Sequence, residues 1–119
     1  MSAGHTITIT PVDVRVEVRV DGELLAVSER ALRLSETGLP DRYYLPKDDV
    51  QLHRLRPTSF TTTCPFKGEA SYWSFEVDGR SHDGIVWAYE DPIPAATAIT
   101  GHLSFYPDRA SVTVDGTPI

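Results

Sequence analysis

The 119-residue sequence holds a single cysteine, Cys64. No disulfide can form within the chain, and no zinc cage of several thiolates can be built. Positive charge is also short: 11 Lys and Arg face 17 Asp and Glu, for a formal net charge of −6. Nucleic-acid affinity rests on a clustered excess of cations, so no nucleic-acid partner is expected. Long apolar runs are missing. The longest uninterrupted one, Ile85 to Tyr89, falls far below the roughly 20 residues that span a bilayer, so no membrane partner is expected. Met1 to His5 carry no basic patch leading into an apolar stretch, so no signal peptide is expected and a reduced cytoplasmic location is the default. The four histidines, His5, His53, His82 and His102, lack metal-ligand spacing. No metal site and no cofactor are expected.

What is present reads as strands. Val12, Val14, Val16, Val18 and Val20 alternate with Asp13, Arg15, Glu17 and Arg19. That is period two with a β-branched residue at each apolar position. Asp21-Gly22, Asp78-Gly79 and Asp115-Gly116 each follow an apolar run and favour tight hairpins, since both turn positions take positive φ. Further strands are expected at Ala31 to Glu36, Val50 to Leu55, Thr58 to Thr63, Tyr72 to Val77, Ile85 to Tyr89 and His102 to Tyr106. Helix signal is confined to one turn at Lys47-Asp48-Asp49 and a short helix at Pro94 to Ile99, opened by Pro and closed by Gly101. The nine prolines lie between the apolar runs, as turn punctuation. The chain is expected to be mainly β: a tail over residues 1–11, then one compact antiparallel β domain over 12–119 with one or two short helices. Its single core would be fed by Val14, Val16, Val18, Trp87 and Phe105.

Three stretches could carry chemistry. In the first, Glu36 to Pro46, Arg42 offers a planar fork for a carboxylate or phosphate, and adjacent Tyr43 and Tyr44 point to opposite faces of a strand. The plain alternative is that Glu36 and Arg42 pair across the turn between them. The second runs from Thr61 to Trp73. Cys64 lies near Lys67, and a neighbouring cation promotes the thiolate. The competing reading makes Cys64 a small packed hydrophobe. Lys67-Gly68 lacks the spaced glycines of a phosphate loop. In the third, Asp83 to Pro92, Trp87 and Tyr89 share a strand face. Tyr72, Trp73, Phe75, Phe105 and Tyr106 could complete an aromatic box around them, or all of these could simply be core.

These stretches resemble a known family. Glu36-Thr37-Gly38-Leu39-Pro40, Arg42-Tyr43-Tyr44-Leu45-Pro46, Thr63-Cys64-Pro65-Phe66-Lys67-Gly68-Glu69-Ala70-Ser71-Tyr72, Trp87-Ala88-Tyr89 and Gly101-His102-Leu103-Ser104-Phe105-Tyr106-Pro107 are similar, in order and spacing, to the bacterial domain of unknown function 427. The likeness runs from about Val14 to Val114. It implies a small β domain like the β-tent group, which includes B-type methionine sulfoxide reductases and the ligand-binding domain of cereblon. The zinc held there by paired Cys-x-x-Cys motifs has no counterpart in a chain with one cysteine. The family also carries a nucleotidyltransferase label, but no paired-carboxylate metal motif follows a Gly-Ser helix here.

Three functional readings follow. A small-molecule module would use a pocket with aromatic walls from Tyr44, Tyr72, Trp73, Trp87 and Tyr89 and polar groups from Glu36, Arg42 and Lys67, taking a small polar or anionic ligand. An enzyme would use Cys64 as nucleophile, with Lys67 or Arg42 stabilising the thiolate or an oxyanion. A structural or protein-interaction domain would need no ligand. The sequence leaves the oligomeric state open.

Overall fold

The computed structural model describes residues 5–119. Their strands, in chain order, are β1 (Ile7–Pro11), β2 (Val16–Val20), β3 (Glu23–Ser28), β4 (Leu32–Glu36), β5 (Arg42–Pro46), β6 (Leu55–Cys64), β7 (Gly68–Val77), β8 (Arg80–Ala88), β9 (His102–Phe105), β10 (Ser111–Val114) and β11 (Thr117–Pro118). Two antiparallel sheets result. The larger has seven strands in the order β1-β4-β5-β9-β8-β7-β6, and the smaller has four, β11-β10-β2-β3. The helical content is three short 3-10 turns, at Lys47–Asp49, Leu52–Arg54 and Pro94–Ile99. None is long and apolar enough to cross a membrane.

All three Asp-Gly pairs turn hairpins, β2–β3, β7–β8 and β10–β11. Their φ values are positive at both positions: 50° and 80° at Asp21-Gly22, 49° and 77° at Asp78-Gly79, and 50° and 81° at Asp115-Gly116. This is the mirror-image turn whose twist matches the flanking strands. A Cβ at Gly79 would meet nothing within 4 Å, so its replacement strains only the backbone. Gly79→Ala is expected to destabilise the domain by about 1 kcal/mol. A lower urea midpoint with an unchanged slope is the readout, and an unmoved midpoint would show that the turn does not need glycine.

Several elements differ from the sequence expectation. The stretch expected as a tail, 1–11, is described only from His5, with residues 1–4 outside the described set. Within it, Ile7–Pro11 is an edge strand paired along β4, from Ile7 opposite Glu36 to Pro11 opposite Leu32. Alternating threonines and isoleucines carry that strand, a signal as regular as the valine run. The valine alternation begins at Val12, but ladder pairing begins only at Val16. Val12 to Arg15 carry the chain from one sheet to the other, and Asp115 holds the crossing by accepting from the Arg15 N–H at 2.8 Å. Side-chain alternation there serves the core, since Val12 and Val14 pack against it, without a β partner on each side. The strand expected over Val50 to Leu55 is replaced by a bridge at Val50 to Ala26 and the 3-10 turn after it.

The expected single core is two, one on each face of the larger sheet. Between the sheets lie Val16, Val18, Val20, Leu25, Leu45, Phe75, Val86 and Phe105. On the far face lie Leu34, Tyr44, Ala70, Tyr72, Trp87 and Tyr89, covered by Ala96 and Ile99 of the Pro94–Ile99 turn. Trp87 therefore belongs to the second core and not to the valine core. Period two decides the split: Tyr44 faces one way and Leu45 the other, Trp87 one way and Val86 the other.

Candidate functional site

The far face of the seven-stranded sheet is built in transverse rows. Cross-strand register places Leu32, Tyr44, Ser104, Trp87 and Tyr72 in one line over β4, β5, β9, β8 and β7. Ser104 is the small member. Its hydroxyl turns away to donate to the Tyr43 carbonyl at 2.8 Å, leaving room for the rings on either side to meet above it. Tyr44 and Trp87 meet edge to face, with ring centroids 6.2 Å apart. The Trp87 indole N–H donates to the Tyr44 hydroxyl oxygen at 3.1 Å, so neither buried polar group is left unpaired. Two residues along each strand, the same face carries Leu34 on β4 and Arg42 on β5, which are paired neighbours. It continues with Glu36, and beyond the strand ends with Tyr89 and Tyr106. A cavity of about 150 Å³ opens here, lined by Leu34, Glu36, Arg42, Lys67, Tyr89 and Tyr106 over the aromatic row.

Lys67 reaches this face from a tight turn between β6 and β7, closed by the Lys67 N–H donating to the Cys64 carbonyl at 3.2 Å. The next residue must be glycine. Gly68 has φ +121°, which side chains rarely adopt, while a Cβ there would be in ordinary van der Waals contact, at 3.4 Å, with backbone atoms of Pro92 and Ile93. That close approach lets the Ile93 N–H donate to the Lys67 carbonyl at 2.9 Å, which fixes the turn. The Lys67 ammonium then donates to Glu36 Oε1 at 2.6 Å. Both side chains are withdrawn from water, with 12% and 4% of their surface exposed. His5 Nε2 lies 3.1 Å from Glu36 Oε2, and its ring is stacked on Phe66. The carboxylate is thus flanked on both oxygens. The pairing of Glu36 with Arg42 expected across the turn is not formed, because Lys67 and His5 occupy the carboxylate.

Arg42 is left with its guanidinium 5.9 Å from the centre of the Trp87 ring. Among the described residues no carboxylate lies within ion-pair distance of it. The phenols around the cavity are held neutral. Burial pushes Tyr44 and Tyr89 well above the usual phenol range, the Trp87 N–H partly opposing the rise at Tyr44. Burial, with the neighbouring Tyr72, raises Tyr106 to about 12.

Of the residues proposed from sequence, Glu36, Arg42, Tyr44, Lys67, Tyr72, Trp87 and Tyr89 line this one cavity. Trp73 does not join them. It pairs with Val86, lies on the opposite face and packs against the valine core, because neighbours on a strand diverge. Cys64 is half-buried against the second core and is not among the lining side chains. The ammonium that would promote its thiolate is engaged by Glu36. Sequence reasoning missed Leu34, Leu39 and Pro40 as lining residues. Leu34 could have been found two residues before Glu36 on the same strand. His5 carries no sequence signal, since it meets Glu36 from 31 positions away. Among the described residues no three His, Cys, Asp or Glu side chains gather as a metal site would require.

The family model described as domain of unknown function (DUF427) matches residues 8–116. No curated protein matches the chain.

Proposed function

The chain belongs to the DUF427 family, a name that assigns no activity, and from the chemistry of the cavity we propose that the domain binds a small, planar, anionic molecule there. The observation that carries this is the unpaired Arg42 guanidinium beside an aromatic-walled cavity whose lining carboxylate, Glu36, is already neutralised by Lys67. An unpaired guanidinium in an aromatic setting presents a donor fork and a positive field with nothing inside to satisfy it. A volume of about 150 Å³ suits one six-membered ring, the size an engineered cavity of similar volume accepts. Tyr44, Trp87 and Tyr72 supply flat walls, and the Tyr89 hydroxyl, with no hydrogen-bond partner among the described residues, supplies a donor. As a neutral phenol it donates to an anion rather than repelling it, and burial keeps its proton on into the alkaline range.

Benzoate is a direct probe. In a two-dimensional NMR titration its shifts are expected on the Trp87 indole signal and not on that of Trp73, which lies across the sheet. Arg42→Ala is expected to weaken binding about 10- to 100-fold, the worth of a charge-assisted contact. Arg42→Lys should restore part of it, since a point charge replaces the fork. Shifts that favour Trp73, or an affinity indifferent to Arg42→Ala, would overturn the reading.

A further inference from the structure

The inner cavity shares two of its side chains with a second concavity. Tyr72 and Tyr106 line the cavity, and the same two residues line a larger trough of about 720 Å³ next to it on the same face. The row beyond Tyr72 and Trp87 explains the trough. Where the first row carries two large rings, the next carries Ser74 on β7 and Gly84 on β8, joined by the Gly84 N–H donating to Ser74 Oγ at 3.1 Å. The floor is therefore one side-chain layer lower. One wall is Phe60, its ring 5.1 Å from that of Tyr72. The other is Tyr106, backed by the Arg109 guanidinium 5.9 Å from its centre.

Exposed apolar surface gathers at this site. Phe60 is 59% exposed and Leu39 56%, the two highest values among the large hydrophobics described, and they border the trough and the inner cavity respectively. The exposed Phe60 ring stands at the rim of the concave surface, where the apolar part of a ligand would cover it. Both cations of the trough have partners, Arg56 lying 3.8 Å from Glu76 and Arg109 donating to the Asp83 carbonyl at 2.6 Å, while its own carboxylates, Asp83 and Asp108, would repel an anion. The trough thus asks for an apolar, flat occupant, whereas the cavity with Arg42 asks for an anion. Arg42 does not line the trough.

We propose that the ligand is an elongated aromatic acid, its anionic ring in the inner cavity towards Arg42 and its apolar, second ring lying over Ser74 and Gly84 against Phe60. This rests on the reading of the inner cavity given above and adds the class of molecule and its direction. Phe60 is then a specificity residue for the tail, and Arg42 for the head.

Calorimetric titration with two probes separates head from tail: benzoate, and 4-(benzyloxy)benzoate, which adds a second ring. Burying part of that ring should make the longer acid bind about tenfold tighter or more. Phe60→Ala should bring the longer acid down to the affinity of benzoate and leave benzoate itself unchanged, and Phe60→Leu should keep most of the gain. Phe60 is exposed, so its removal leaves the cores intact. If the longer acid binds no tighter than benzoate, or if Phe60→Ala weakens both alike, the two-part site is overturned while benzoate binding sensitive to Arg42→Ala leaves the inner cavity standing. If neither acid binds, both readings fall.

Discussion

Lys67→Ala is expected to destabilise the domain by roughly 3 kcal/mol, the magnitude seen when one partner of a buried ion pair is removed. The pair is short, 2.6 Å, and almost dry, so the loss of the ammonium leaves a carboxylate with only His5 beside it. The penalty comes mainly from that stranded charge and only partly from the lost attraction. Glu36→Gln in the Lys67→Ala background is therefore expected to recover half or more of the loss, because it removes the charge and keeps the shape. Urea unfolding of the wild type, both single variants and the double variant closes the cycle, with an expected coupling of about 2 kcal/mol. A loss below about 1 kcal/mol for Lys67→Ala would place the pair among ordinary surface bridges and contradict its burial. The same cycle bears on the proposed function, since an anion would be drawn to the cavity only while Glu36 is neutralised.

Alkaline unfolding is expected to set in steeply above pH 10. Tyr44 and Tyr89 have folded pKa values raised by burial, and Tyr106 is raised to about 12. A phenol of this kind keeps its proton in the folded state after the unfolded chain, at its ordinary value near 10, has released it. Its contribution is complete below pH 10 and is lost as the pH climbs towards the folded value. Each fully held phenol removes roughly 1.4 kcal/mol of stability per pH unit over that window. Tyr44 and Tyr89 dominate, being the more deeply buried. Tyr89→Phe should flatten the slope by about one such share and change stability at pH 7 little, because the lost hydroxyl has no partner among the described residues. Tyr44→Phe should flatten it too, but with a loss of about 1–3 kcal/mol at pH 7, since it strands the Trp87 N–H. Absorbance at 295 nm across the same range checks the premise. If all five tyrosines ionise near pH 10 in the folded protein, the phenols are not held and the slope has another source.

Much of this arrangement was legible residue by residue. The Asp-Gly pairs announced three hairpins, because no common dipeptide other than those ending in Gly accepts positive φ twice so readily. Alternation predicted that Tyr43 and Tyr44 diverge, and that Trp87 and Tyr89 share a face. The same rule, applied to Tyr72 and Trp73, separates them as well, which is how the structure disposes of Trp73 as a wall. Strand parity divides the aromatic cluster: Trp73, opposite Val86, packs with the valine core, while its neighbour Tyr72 faces the other way.

Local pattern therefore determined the class of structure, the turns, and which side chains on each strand travel together, since these depend on backbone sterics and on a period of two. It also determined that residues of the right chemistry exist: one cluster with Arg42, one with Lys67, one with Trp87. Which strand lies beside which was decided only by the tertiary structure. The order β5-β9-β8-β7 sets Tyr44, Ser104, Trp87 and Tyr72 in one row, although their positions in the chain bear no such order. Pairing is chosen by the summed burial of both faces and by the backbone ladder, and no single segment contains that sum. The choice between Arg42 and Lys67 as the partner of Glu36 was settled in the same way. Arg42 is closer in sequence, but the turn that Gly68 permits against Pro92 and Ile93 delivers Lys67 to the carboxylate and leaves Arg42 unpaired over Trp87.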